Sequence, residues 1–178
     1  MSAPKPGSFL AGQFLRRLLA LETGILLASF AVLVVVTFAD VLLRRMTGSG
    51  LMWSRDVGIY ANVWLSMLGI GVASGSGSHL RPHFMDHWIR PGWEPVLVRV
   101  QESLAALGFV MLCLVSWLVV AETRSLGDIN NVLRWPVWIC QLCMPMAFAF
   151  AACKHALFAW YPDLRPEERD ETTAAPRA

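Results

Sequence analysis

Cys140 and Cys143 stand three residues apart, the spacing of a dithiol that exchanges disulfides when one sulfur is an accessible thiolate. Here the pair lies within an apolar run, flanked by Trp138 and Pro145, a setting in which cysteine is structural and inert. Cys113 and Cys153 also fall in apolar runs, where free cysteine behaves as a small hydrophobe. No disulfide framework is expected. His79, His83 and His87 recur every fourth residue, which on a continuous helix would place three imidazoles on one face, in reach of one metal ion. Pro82 interrupts that helix, and only Asp86 lies close enough to extend the shell. The histidines therefore read as interfacial residues near lipid headgroups, and neither a metal nor a cofactor is expected.

A second constellation is built for packing. Asp40 and Arg44 are four apart, so on a helix they share a face and pair where the helix leaves an apolar medium. A turn at Gly48–Gly50 follows, then Trp53 and Asp56, an acid suited to a helix N-terminus. Tyr60, Trp64, Gly69, Gly71 and Gly75 come next, and Gly71-x-x-x-Gly75 gives a flat strip that lets another helix approach closely.

The elements that position these residues are membrane helices. Of 178 residues, 56% are apolar and 16% charged, well below the roughly 25% charged of soluble domains. Four uncharged runs, 23–39, 57–78, 103–121 and 135–153, each reach with their flanks about 20 residues, enough to cross a hydrocarbon core of about 30 Å. They lack the two-residue alternation of a membrane β-strand, and a backbone in lipid must bond to itself, so they are helices. The expected fold is an all-α integral membrane protein with four spans at about 21–43, 54–77, 98–121 and 136–159. The first is read as a retained span, since the apolar stretch exceeds a signal-peptide core and ends in Asp40 and Arg44–Arg45 without a cleavage site.

Loop charges set the expected orientation. Ten Lys and Arg fall in the two tails and the middle loop, Lys154 among them, against five in the first and third loops. The positive-inside rule then puts both termini in the cytoplasm. Trp53, Trp88, Trp93, Trp135, Trp138 and Trp160 form interfacial anchors. Phe14, Leu15, Leu18 and Leu19 share a face beside Arg16 and Arg17, the pattern of an amphipathic helix lying on the membrane. The expected organisation is a tail with that helix over 1–19, a four-helix domain over 20–160, and a polar, disordered tail over 161–178.

Several function classes are excluded by what the runs lack. No ionisable residue falls near the middle of a span, where proton relays and ion paths are marked. No histidine sits at a span centre to hold a haem, and no phosphate loop or nucleophile–base pair is apparent. Basic residues are scattered at segment ends, so nucleic acid is not a partner.

In these residues the chain resembles the small permease subunit of tripartite ATP-independent periplasmic (TRAP) transporters, the DctQ-type family. That family carries an Arg at the end of its first helix, a Trp-x-x-acid start to its second, then an aromatic-rich helix ending in Gly and a Gly-x-His-hydrophobic motif. Arg44, Trp53, Asp56, Trp64, Gly69 and Gly77-Ser78-His79-Leu80 follow that order. Trp135–Pro136 and Pro145 match the fourth helix. The chain departs at Arg55, where the family often has a second acid, and at Pro82–His83 after the histidine motif.

The resemblance implies a non-enzymatic scaffold in the bacterial inner membrane. Its implied partners are a large permease subunit, which holds substrate and ion sites, and a periplasmic substrate-binding protein, with membrane lipids around them. The implied activity is ion-gradient-driven uptake, usually with sodium, of an organic acid. Asp40, Arg44, Trp53, Asp56, Tyr60, Trp64, Gly69, Gly71, Gly75, His79 and Pro145 are then candidate structural or subunit-interface residues, and Arg124, Asp128 and Arg134 candidate docking charges for the binding protein. The alternative is a four-helix thiol–quinone oxidoreductase using Cys140 and Cys143, which the lack of cysteine in either periplasmic loop disfavours.

Overall fold

A computed structural model of the chain describes residues 8–75 and 94–164. The middle-loop histidines, the Gly77–Leu80 motif and the tail from 165 lie outside the described residues.

Leu, Val, Ala and Phe fill the apolar runs, and each becomes helical. Helix α1 spans Ser8–Thr47, α2 Ser54–Gly75 and α3 Glu94–Leu126. A fourth crossing is made of α4 (Val137–Gln141) and α5 (Cys143–Trp160), followed by a single 3-10 turn at Pro162–Leu164. Four helical segments are long and apolar enough to cross a membrane, the last running Val137–Trp160. The expected all-α membrane fold with four spans is therefore present.

Local sequence explains the joints. Helix α1 ends at Gly48, whose φ of +77° suits glycine and lets its N–H reach the Arg44 carbonyl at 3.1 Å. The break at Leu142 follows from Pro145, which has no N–H to give the Gln141 carbonyl and whose ring crowds it. Pro145 thus occupies the first turn of α5, where a missing N–H costs nothing. The segment from Phe14 to Leu19, expected as a separate surface helix, is instead the opening of α1, with Leu15 buried and Phe14 exposed.

The helices pack as a row and not as a closed bundle. Helix α1 lies against α2, α2 against α5, and α5 against α3, while α1 and α3 share no extended contact. Helix α5 is the hub, and its small residues explain why: Cys143, Ala147, Ala151 and Ala152 are buried, and such a small-residue face lets neighbouring backbones close in. The outer helices remain apolar and uncovered. None of α1's most apolar 18 residues is buried within the chain, against 44% for the α4–α5 crossing.

Candidate functional site: a buried ionic layer

One layer of the row is charged. Lys154 and His155, adjacent on α5, are 0% and 1% exposed. Successive helix residues point about 100° apart, so the two reach different neighbours. Lys154 Nζ donates to Glu22 Oε2 on α1 at 2.7 Å and to the Gly71 carbonyl on α2. His155 lies between Glu102 of α3, whose Oε2 is 2.6 Å from Nδ1, and Ser74 of α2, whose Oγ is 2.6 Å from Nε2. All four crossings meet here through two consecutive side chains.

The layer is buried. Glu22 is fully buried, and Glu102 is 2% exposed. A buried charge is tolerable only when paired and hydrogen-bonded, and two acids face one ammonium and one imidazole. An ionised Glu102 can only accept, which places a proton on His155 Nδ1. The imidazole stacks on Phe109, with ring centroids 5.2 Å apart and planes 12° apart, and meets Phe158 edge-on at 6.3 Å. Gly71 is required: a Cβ there would run into Glu22 Oε1 and reach within 3.7 Å of the Ala147 carbonyl. That same Oε1 is buried without a hydrogen-bond partner among the described residues.

Ser74, His155 and Glu102 follow the order of a nucleophile–base–acid relay. Ser74, however, is buried at 7% exposure, and neither the cleft beside Asp40 nor the apolar groove beside Trp64 reaches it. The array joins helices.

One expectation is corrected by this layer. Lys154 does not belong to a cytoplasmic tail but is an interior charge, leaving nine loop and tail cations against five. Glu22, Glu102, Lys154 and His155 lie toward the ends of their spans and not near the middle, yet they are buried inside the helix row. Sequence reasoning took them as flanks of uncharged runs. One signal was present: the apolar pattern resumes after Lys154–His155 as Ala-Leu-Phe-Ala-Trp, so those two residues interrupt a helix and do not end it.

At the other end of the row, Arg44 Nη2 donates to Asp40 Oδ2 at 2.7 Å, and the Leu51 N–H donates to Oδ1 at 2.7 Å. Asp40 thereby ties the α1–α2 turn to α1. A Cβ at Gly50 would lie 2.6 Å from Asp40 Oδ1 and 2.9 Å from Arg44 Nη2, so this turn also needs a glycine.

The other sequence-selected residues are distributed between these two ends. Trp53 precedes α2, and Asp56 lies in its first turn. Tyr60 and Trp64 line an apolar groove of about 390 Å³ with Trp135 and Cys140. A Cβ at Gly69 would only touch Leu26 at 3.9 Å. Gly71, expected to admit a partner helix, is occupied within the chain by Glu22; Gly75 ends α2. The Pro145 carbonyl accepts from Cys113 Sγ at 3.4 Å. Cys140 and Cys143 are buried free thiols. His79 lies outside the described residues.

Arg124 lies in the last turn of α3, and Asp128 and Arg134 lie in the loop that follows it. The Arg124 guanidinium sits 5.2 Å over the Trp138 ring, and the Asp128 carbonyl accepts from the Val137 N–H at 3.0 Å. Asn130 Oδ1 accepts from the Val132 and Leu133 N–H groups, each at 2.8 Å. Arg134 closes the turn at φ +56°, a left-handed conformation that a non-glycine residue adopts at a cost.

Helices of membrane-spanning length, joined through a buried ionic layer and apolar on the outer faces of α1 and α3, define a multi-pass membrane protein. The family model for tripartite ATP-independent periplasmic transporters, DctQ component, matches residues 33–164. The chain belongs to that family and is a TRAP transporter small permease subunit. No curated protein and no solved structure matches it. Lys154, His155, Glu102 and Gly71 fall within the matched range, whereas Glu22 precedes it.

Proposed function

We propose that this subunit is a fixed, non-enzymatic scaffold for the large permease subunit, which carries out sodium-driven uptake of an organic acid handed over by a periplasmic binding protein. The observation that carries the reading is the open row of helices. A row whose outer helices leave their apolar sides uncovered has two long faces for another membrane protein, and its interior is locked by charge pairs in place of a solute path. In this reading the chain sits in the bacterial inner membrane with both termini cytoplasmic, and the layer around Lys154 lies near the cytoplasmic face. The Arg124–Arg134 loop then faces the periplasm, where its charges meet the binding protein.

The test is a pull-down of the tagged chain from native membranes in mild detergent. A large polytopic permease is expected in stoichiometric amounts, and its absence would overturn the reading. Replacing Cys140 and Cys143 with alanine is expected to leave uptake of the transported acid unchanged. Loss of uptake at normal membrane levels would instead favour thiol chemistry.

A further inference from the structure

The α1–α2 hairpin encloses a cleft of about 750 Å³ beside the Asp40–Arg44 pair, within the range of small-ligand sites. Its chemistry is graded along the helix axes. At the turn end it is lined by Arg44 and Arg55, and deeper by Leu33, Gly58 and Ile59. Asp40 lines it too, but both its oxygens are engaged, by Arg44 and by the Leu51 N–H. Arg44 gives only Nη2 to that pair, and its side chain is 66% exposed. Two guanidinium groups therefore face one satisfied carboxylate, an excess that suits an anion.

Asn62 is a second, independent pointer. It lines the same cleft and is exposed on a membrane-crossing helix. It has no hydrogen-bond partner among the described residues. A polar side chain turned toward hydrocarbon is costly unless something there bonds to it. Asn62 is seven residues beyond Arg55, which puts it about 10 Å deeper along α2. An acceptor is thus wanted below the level of the cations, with apolar walls beside it.

We propose that this cleft binds one glycerophospholipid, with its phosphodiester on Arg44 and Arg55, its glycerol backbone passing Leu33 and Ile59, and an ester carbonyl on Asn62, from which the acyl chains run deeper into the bilayer. Anion above, ester below it and hydrocarbon deeper still is the order in which a phospholipid presents its groups along the membrane normal. Gly58 leaves room for that segment: a Cβ there would meet only Leu33, at 3.8 Å. The inference rests on the cleft and on the membrane-spanning fold, and not on the transported solute or the binding protein.

The experiment uses the full chain in detergent, incubated with mixed micelles of phosphatidylglycerol or of diacylglycerol, or with inorganic phosphate alone. Native mass spectrometry then counts retained adducts. Phosphatidylglycerol is expected at one per chain. Arg55→Gln should lower its retention about tenfold, the loss of roughly one charge-assisted contact. Asn62→Leu should lower it about threefold, as for an average hydrogen bond within a membrane protein. Arg16→Gln, an exposed cation near the other end of α1, should change nothing.

Equal retention in all variants would mean adventitious lipid and overturn the proposal. Retention of phosphate alone with the same dependence on Arg55 would replace the lipid with a free anion and overturn it as well. In the assembled transporter, Asn62→Cys should react with a lipid-soluble maleimide. Crosslinking of that cysteine to another polypeptide would assign the cleft to a protein contact instead.

Discussion

The two ends of the helix row both use an acid paired with a base, and the pairs differ in almost everything else. Glu22 and Asp40 lie on the same helix, eighteen residues or about 27 Å apart, close to the thickness of a hydrocarbon core. Lys154 and Glu22 are both 0% exposed, whereas Arg44 is 66% exposed beside a largely covered Asp40. The buried pair connects helices far apart in sequence; the other connects neighbours on one helix turn. Water decides what each contributes. An exposed pair i to i+4 on a helix is screened and adds little. A dry pair adds little over a well-packed apolar substitute, yet removal of one partner is severe because an uncompensated charge remains. The buried layer therefore specifies which helices meet and in what register, and the Asp40 knot shapes one turn.

The largest expected effect comes from breaking the buried pair. Lys154→Met should destabilise the folded chain by about 3–5 kcal/mol, seen as a large drop in the thermal midpoint in detergent. Glu22→Leu combined with Lys154→Met should recover most of that loss. Equal destabilisation of single and double variants would show that packing, and not charge, holds the layer.

Gly71→Leu acts on the same layer through volume. It should cost about 1–3 kcal/mol by overpacking, while Gly69→Ala, with its nearest side chain 3.9 Å away, should be close to neutral. If the large permease subunit is lost from pull-downs of Gly71→Leu while the chain keeps its own stability, Gly71 belongs to a subunit interface after all.

At the exposed end the expected effect is smaller. Asp40→Ala removes the Arg44 pair and leaves the Leu51 N–H without its acceptor. The thermal midpoint should fall less than in Lys154→Met, and the difference from wild type should narrow as salt is raised. A salt-independent loss would point to the backbone bond alone.

The smallest effect has the opposite sign. Arg134→Gly relieves the strain of a left-handed non-glycine residue and should stabilise the chain by about 1 kcal/mol. If Arg134 is a docking charge, the same variant should bind the periplasmic protein more weakly in a titration with the purified complex. A variant both more stable and equally able to bind would reduce Arg134 to a turn residue.

Much of this was legible beforehand, and the physical reasons are particular. Hydrophobic length alone dictates helices in lipid, because no other open backbone satisfies itself there. Asp40 and Arg44 were readable as a pair because their partnership is local: four residues on one helix fix the geometry without reference to the rest of the chain. Glu22, Glu102, Lys154 and His155 were not readable in this way. At the edge of an apolar run a charge can face water, or turn inward to a partner on another helix, and sequence periodicity gives the same signal for both. Gly71 was singled out as a place of close approach, but nothing local says what approaches it.

By itself the sequence determined four apolar crossings, the turn chemistry at Gly48 and Pro145, and the order of residues that marks the family, since each depends on length, local sterics or spacing along one helix. Only the tertiary structure decided that α5 lies between α2 and α3, and that Lys154 reaches Glu22 of α1 while His155 reaches Glu102 of α3. Those choices depend on pairing charges separated by 132 and 53 residues, whose burial is tolerable only once the partner helices have arrived.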